Sequence, residues 1–403
     1  MITFDDAIAL TLNLAQPLGP ETIPIDTAAG RILATSLTAR GDSPRAAVSA
    51  MDGYAVRSAD LGGAQTRLKL IGQSFPGAGF DGTVGAGEAV RIFTGAPVPA
   101  GSDRVVIQEM VRREDDEAVT DADGAGPDHI RAQGSDFRTG DVLLEARRRL
   151  DPRAMVAAGG ADRAEVEVFR RPRVIVIGTG DELLPPGSAH LTRFGVPESA
   201  SLGVAALTTV WGGVCLDRLR LTDDLEILKA AARDALGAAD VVVVTGGASV
   251  GDRDYARAMF ADCGLELVFS KVEIKPGKPM WLGRVPGKLV LGLPGHPTSA
   301  LVTARLFLAP LLAALAGEDP TRALTSMQVR LTSELPATGD RETFYRGRWS
   351  GQGVAPFDNQ DSGSQNTLAQ ADVLIRRRAD TPGLAAGQEV QVIEFDPGGF
   401  LAG

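Results

Sequence analysis

Apolar and polar positions change rhythm several times along the chain. Ala7, Leu10 and Leu14 recur at helical spacing behind Thr3, a residue type that caps helices, which predicts a helix over residues 4–16. Residues 23–40 read as a short extended piece and then a mixed segment. Between 65 and 140 the apolar runs are short and broken by glycine, at 68–71, 89–93, 105–108 and 129–131, which is a β pattern. The acidic run 114–117 falls between two of these pieces and predicts a solvated hairpin tip. Pro152 and the alanines behind it predict a helix over 151–160.

From Arg173 the rhythm becomes strand, helix, strand, helix. Strands are expected at 174–177, 241–244, 265–269 and 289–293. Helices are expected at 199–209, after Thr222 as a cap with Asp223 and Asp224 in the first turn, and at 252–263. The four valines from Val241 to Val244 read as a strand buried on both faces of a parallel sheet. A long apolar helix opens at Pro297, should kink near Pro310 and should stop at Gly317. Beyond Pro320 alternation returns at 327–331, 343–349, 373–375 and 390–395, which predicts a small β-barrel or sandwich. The expected class is multidomain α/β plus β, built around a central doubly wound α/β domain.

At 403 residues the chain exceeds one ordinary core. Its net charge of −10 argues against a general binder of nucleic acid or of anionic membranes, so an anionic ligand must meet a local basic patch. Two cysteines, Cys215 and Cys263, make neither a disulfide framework nor a zinc spacing, which suits a reducing compartment. The first residues lack the pattern of a signal peptide, and the apolar run 300–316 reads as too short to span a bilayer. A soluble cytoplasmic protein is expected.

The chemistry gathers at two strand tips. Val174-Ile-Val-Ile177 runs into Gly178-Thr-Gly-Asp-Glu182, and the valine strand runs into Thr245-Gly-Gly-Ala-Ser-Val-Gly251 with Asp252 and Asp254 beyond. Ligands of open parallel sheets bind outside the carboxyl ends of the strands, so one shared site is expected there. Asp181, Glu182, Asp223, Asp252 and Asp254 supply oxygen ligands suited to Mg²⁺, although each alone could simply cap a helix. Lys275-Pro-Gly-Lys-Pro279 places two cations on a loop stiffened by prolines, or is a plain basic turn. Leu293-Pro-Gly-His-Pro-Thr-Ser299 leads a strand into a helix start, which caps the helix and offers amides to an anion. Gly247-Ala-Ser-Val-Gly251 fits a nucleophile elbow with Ser249 as nucleophile and His296 as base, but Ser249 stands well past the strand's end. The dinucleotide fingerprint fails at Leu183, no phosphate-binding G-x-x-x-x-G-K-[ST] occurs, and the three histidines are scattered.

Taken in order, Ser49-Ala-Met-Asp-Gly-Tyr-Ala55, Phe93-Thr-Gly-Ala-Pro97, Gly178-Thr-Gly-Asp-Glu-Leu183, Thr245-Gly-Gly-Ala-Ser-Val-Gly251 with Asp254, Lys275-Pro-Gly-Lys-Pro279 and Leu293-Pro-Gly-His-Pro297 span nearly the whole chain. The set resembles the molybdopterin molybdenumtransferases, the MoeA family, to which the enzymatic domain of gephyrin also belongs. The resemblance implies an enzyme that takes adenylylated molybdopterin and molybdate, cleaves the adenylate with Mg²⁺ and releases AMP. It implies a discontinuous linker domain (1–44 and 141–172), an inserted β domain (45–140), an α/β molybdopterin-binding domain (173–322) and a C-terminal β-barrel (323–403). It implies a homodimer with Asp52 and Thr94 across the interface from Glu182, and an upstream adenylyltransferase as a further partner.

Carried over by position, Asp52, Thr94, Glu182, Asp223 and Asp254 match the family's catalytic positions, with Glu182, Asp223 and Asp254 as metal ligands. Ser249, Lys275, Lys278, Pro294, Pro297, Arg341 and Ser362 match its substrate-binding positions. The chain departs from the family at Ala46-Ala-Val48, where Phe-Asp-Asn is usual, and at Glu198-Ser-Ala200, where Asp-Ser-Asn is usual. It also carries His296 for an asparagine, and Gln360-Asp-Ser-Gly363 for Gln-Gly-Ser-His. Those departures keep a second reading open, a family-like protein that binds pterin or a partner without turnover.

Overall fold

The computed structural model describes residues 1–246 and 255–396. Ser249, Asp252 and Asp254 lie outside the described residues. The chain forms two compact units, one of Thr22–Ala29 and Thr35–Val166, the other of Met1–Glu21, Gly30–Ala34 and Glu167–Gly403. Helix α1, Phe4–Leu14, begins as expected, with the Thr3 hydroxyl accepting from the Asp6 amide at 3.1 Å. Its buried face is Phe4, Ala7, Ile8 and Thr11, and Leu10 is exposed. Phe4 sets that rotation, because its ring packs on Phe307 at 5.5 Å and on Phe344 at 5.0 Å.

The first unit is built on a six-stranded sheet: β1 Gly53–Val56, β2 Thr66–Ser74, β3 Glu88–Ile92, β4 Arg104–Ile107, β5 Val111–Glu114 and β6 Glu117–Thr120. Their order is β4-β1-β3-β2-β6-β5, with β2 and β3 parallel and every other neighbour antiparallel. The acidic run does form a hairpin tip, turning at Asp115 with φ 48°. Its ends are paired rather than merely solvated, since Arg67 reaches Glu114 and Glu117 at 2.7 Å each. Helix α2, Pro152–Gly160, is capped by Asp151, whose carboxylate accepts from the Ala154 amide at 2.9 Å.

The second unit holds the α/β sheet. Its elements are β7 Arg173–Thr179, α3 Ala200–Val210, β8 Val214–Leu221, α4 Leu225–Ala238, β9 Val241–Thr245, β10 Glu266–Ser270, β11 Trp281–Val285 and β12 Lys288–Leu293. The order is β8-β7-β9-β12-β11-β10. Four strands are parallel, but β11 runs antiparallel to both its neighbours, so the doubly wound sheet carries an antiparallel edge. Val241 and Val243 face α1, α3 and the long apolar helix, whereas Val242 and Val244 face α4. That two-sided packing is why the valine run is unbroken. Strands β8 and β11 escape the apolar pattern because β8 is a largely exposed edge with Asp217, Arg218 and Arg220, and β11 is interrupted by Gly283 and Arg284. The cap of α4 is Asp224, which accepts from the Glu226 and Ile227 amides, and not Thr222, so Asp223 stays in the loop outside the helix.

The long apolar helix comprises α5 Pro297–Thr303, a π turn Ala304–Leu308 and α6 Ala309–Leu315. The backbone widens into that π turn ahead of Pro310, which relieves the clash of its ring with the carbonyl four residues back. At 19 residues, Pro297–Leu315 is long and apolar enough to cross a membrane, contrary to the length expected from the sequence, but 94% of it is buried inside the protein. Arg305 sits in the π turn at 2% exposure. Its Nε donates to the Glu394 carbonyl at 2.7 Å, its Nη1 donates to the Ala323 carbonyl at 2.7 Å, and its guanidinium lies 4.6 Å from the Trp211 ring centre.

The C-terminal strands are β13 Met327–Arg330, β14 Glu342–Ser350, β15 Gly353–Pro356, β16 Val373–Arg377 and β17 Glu389–Glu394. They pair in the order β15-β14-β16-β17-β13. A bridge from Leu331 to Val354, with Thr332 donating to the Val354 carbonyl at 2.9 Å, joins the last strand back to the first. The sheet therefore closes as a barrel around Tyr345, Val354, Val373, Ile375, Val390 and Val392.

Asp240, ahead of β9, ties this unit to its own entry segment. It accepts from both Nη atoms of Arg170 at 2.8 and 3.0 Å and from the Arg173 amide at 2.8 Å. Burial pushes the carboxyl up, but the Arg170 and Arg173 bonds outweigh it and hold the pKa at about 2, against an ordinary 3.8. A depressed carboxyl contributes stability that is present above 3.8 and lost as pH falls through 2. Asp240→Asn should cost about 1–2 kcal/mol near neutral pH. Chemical denaturation at a series of pH values should also show less loss of stability between 3.8 and 2 than in wild type.

Candidate functional site

Strands β7, β9 and β12 end side by side at Thr179, Thr245 and Leu293. Beyond their carboxyl ends lies a cavity of about 510 Å³. Its walls include Thr179, Thr245, Glu182, Glu198, Asp223 and His296, with Pro279, Pro294 and Pro297 shaping the rim. Gly180 holds φ 153°, and a Cβ there would stand 2.7 Å from a Glu182 carboxylate oxygen. The glycine therefore lets the carboxylate fold back over the strand tip. The Asp223 amide donates to Asp181 at 3.0 Å, which ties the loop after β8 to the loop after β7. Glu198, 6% exposed, accepts from the Ser201 amide at 2.8 Å and so caps α3 from inside the cavity wall.

Among the described residues the cavity thus presents three carboxylates and one imidazole. Such a wall repels a bare oxyanion and suits a divalent cation. Mg²⁺ is bound through one or two carboxylates plus waters and substrate phosphates, not through a complete protein cage. Glu182 and Asp223 on one cavity fit that mode. They do not fit a ready-made centre, since no group of three ligating side chains occurs among the described residues.

The basic loop reaches this cavity through Pro279. Gly277 has φ 113°, and a Cβ there would stand 2.2 Å from Thr303 Cγ2, so only glycine lets the loop press on α5. Lys275 and Lys278 are exposed on it. Lys275 pairs with Thr343 at the start of β14, which sets Arg341, two residues earlier, beside the same loop. Ser362 is half-buried on a loop held from below by Arg346, 1% exposed, which donates to Gln360 Oε1 at 3.2 Å and to the Asp361 carbonyl at 3.0 Å. Thr298 at the start of α5 donates to the Ser364 carbonyl at 3.2 Å, which carries that loop to the cavity's rim.

Of the residues singled out in the sequence, Glu182, Asp223, Pro294 and Pro297 line the cavity. Lys275, Lys278, Arg341 and Ser362 stand on the loops around it, while Ser249 and Asp254 lie outside the described residues. His296 lines the cavity, but with Ser249 undescribed the hydrolase pair has no observed geometry. Glu198 was not singled out as a cavity carboxylate. Its signals are an acid three residues ahead of a helical serine and a place in the Glu198-Ser-Ala200 segment that stands where the family carries Asp-Ser-Asn.

Asp52 and Thr94 belong to the other unit. Antiparallel pairing of Gly53 with Ile92 brings them together across 42 residues, and Asp52 Oδ1 accepts from both the Thr94 amide and the Thr94 hydroxyl at 2.7 Å. The Thr94 amide first, then its hydroxyl, hold the Asp52 carboxyl below the usual range, with Arg91 adding to the effect.

The chain matches three family descriptions in succession. These are the "MoeA N-terminal region (domain I and II)" over residues 2–160, the "Probable molybdopterin binding domain" over 175–314 and the "MoeA C-terminal region (domain IV)" over 328–395. It is 32% identical to a molybdopterin molybdenumtransferase of Haemophilus influenzae, covering 98% of this chain and 99% of that protein. It is 31% identical to one of Nostoc, covering 93% and 88%. The crystal structure of the molybdopterin biosynthesis MoeA protein from Pyrococcus horikoshii superposes with a TM-score of 0.83 at 30% identity, covering 98% and 99%.

Proposed function

This chain belongs to the molybdopterin molybdenumtransferase family, and from that premise we propose a transferase of molybdenum cofactor biosynthesis that inserts molybdate into adenylylated molybdopterin and releases AMP. The observation that carries this reading is the strand-tip cavity, where Glu182 and Asp223 share a wall and Pro279, next after Lys278, lines the rim. Every guest in the reaction is an oxyanion. Glu182 and Asp223, with Asp254, hold Mg²⁺, and Lys275, Lys278 and Arg341 take the phosphate and molybdate oxygens. Mg²⁺ held by these carboxylates would supply charge neutralisation at the phosphoanhydride.

The protein's part is positioning rather than nucleophilic attack. Ser249 and Ser362 donate hydroxyls to substrate, and Pro294 and Pro297 keep the cavity open at a fixed width. Asp52, kept ionised by Thr94, supplies a carboxylate of defined orientation. The four-part division at 1–44 with 141–172, 45–140, 173–322 and 323–403 belongs to the same reading, as do a homodimer, a cytoplasmic location and an upstream adenylyltransferase that supplies substrate.

The test incubates purified protein with adenylylated molybdopterin, Mg²⁺ and molybdate and follows AMP. Wild type should release it, and Asp52→Ala should slow release by about 10²-fold. Ligand binding with no AMP from wild type would replace the transferase with a binding protein.

A further inference from the structure

Arg346 stands at the middle of β14 and is 1% exposed, among the largest side chains buried inside this protein. Taking a guanidinium out of water is costly unless acceptors meet it. Among the described residues, all of its side-chain acceptors belong to the stretch 357–364 that follows β15. Nε donates to Gln360 Oε1 at 3.2 Å, and Nη1 donates to the carbonyls of Asp361 at 3.0 Å and Ser364 at 3.5 Å. Gln360 answers with its whole amide. Its Oε1 also accepts from the Arg346 amide at 2.9 Å, and its Nε2 donates to the carbonyls of Arg346 at 2.9 Å and Phe357 at 2.8 Å. Burial pulls the Arg346 pKa down, and the charge of Asp361 pulls it up.

The far side of the same loop is fastened to the walls of the strand-tip cavity. The Ser364 carbonyl that accepts from Arg346 also accepts from the Thr298 hydroxyl at 3.2 Å, and Thr298 is fully buried in the first turn of α5. The hydroxyl of Ser199, a cavity residue, donates to Gln365 Oε1 at 3.3 Å. Between these ties the loop braces itself. Asn359 Oδ1 accepts from the Asp361 amide at 3.0 Å, Asp361 Oδ1 accepts from the Gly363 amide at 2.6 Å, and Asn359 Nδ2 donates to Ser364 Oγ at 3.2 Å. Ser362 stands inside that brace, two residues and so at most about 7 Å from the Ser364 junction. Its own hydroxyl takes no partner among the described residues.

A buried polar network fixes one geometry when its members are satisfied, and an apolar side chain at 346 would fill the space without holding the loop. A hydroxyl held in place beforehand loses less entropy when it meets a ligand. We infer that Arg346 is a positioning residue, which acts through loop 357–364 to hold Ser362 for the oxyanion of the substrate. The oxyanion and the part of Ser362 rest on the function proposed above.

Calorimetric titration of the full-length protein with molybdate tests this without turnover. Arg346→Lys keeps a cation but cannot span Gln360, Asp361 and Ser364 together. Thr298→Val removes the tie at the other end and keeps the shape. Each should weaken molybdate by about 10-fold, the scale of one hydrogen bond to an anion, as should Ser362→Ala. Arg346→Lys combined with Ser362→Ala should bind no more weakly than Ser362→Ala alone, because Arg346 acts through that hydroxyl. In turnover, Arg346→Lys should raise KM for molybdate by the same factor and leave kcat unchanged, whereas a merely structural loss would lower kcat. Wild-type molybdate affinity in Arg346→Lys, or losses that simply add in the double variant, would overturn the inference, as would a wild type that binds no molybdate. A wild type that releases no AMP but shows the same coupled loss of molybdate would sink the transferase reading and still support the positioning role. Where circular dichroism shows Arg346→Lys unfolded, Thr298→Val paired with Ser362→Ala gives the same cycle.

Discussion

Glu182→Ala is expected to slow AMP release by about 10²- to 10³-fold, the scale of removing one preorganised electrostatic contact. The Glu182 carboxylate folds over Gly180 at the tip of β7 and shares its cavity with Asp223, across loops tied by the Asp223 amide and Asp181. With one of the proposed carboxylate ligands gone, the remaining ones would hold Mg²⁺ more weakly, so part of the activity should return at raised Mg²⁺. Glu182→Gln should be nearly as slow, because the amide keeps the size of the side chain but not its charge. Steady-state AMP release measured across a Mg²⁺ series distinguishes these outcomes. A rate in Glu182→Ala equal to wild type at every Mg²⁺ concentration would remove the residue from the site.

Arg305→Ala is expected to lower stability by about 3–5 kcal/mol, the range for emptying a large core position. Burial pulls its pKa down to about 10, so the guanidinium is charged at neutral pH inside the core, with no carboxylate hydrogen-bonded to it among the described residues. Carbonyls of Ala323 and Glu394 and the face of Trp211 stabilise it instead. Truncation leaves those two carbonyls without their donor and opens a void beneath Trp211. Arg305→Met refills the volume but not the bonds, and should lose about 1–3 kcal/mol. Denaturant unfolding of the full chain measures both. Equal stability of Arg305→Ala and wild type would mean that the buried charge costs as much as its bonds return.

The same residues illustrate what a linear pattern carries. Arg305 is a charge within an otherwise apolar helix, and only the packing of α5 and α6 makes it a tie between that helix and β17. Asp223 looked like a first-turn residue of α4, and the cap at Asp224 instead leaves it in the loop that lines the cavity. Strand β8 was silent in the sequence because an exposed edge has no need of apolar alternation. Arg346 and Gln360 carried no signal as a pair, since 14 residues separate them.

By itself, the sequence determined the elements whose burial repeats locally: the valine strand packed on both faces, the Thr3 cap, the helix behind Pro152, the hairpin within 114–117 and the glycine-broken strand tips. Burial period and capping are properties of a few adjacent residues, so they survive in one dimension. Only the tertiary structure decided which carboxylates share a cavity, that Asp52 is held by Thr94, that the last sheet closes into a barrel, and that Arg346 reaches under the loop of Ser362. Those facts depend on the register between strands far apart in the chain. A register follows from the sum of many weak contacts and is written in no single segment.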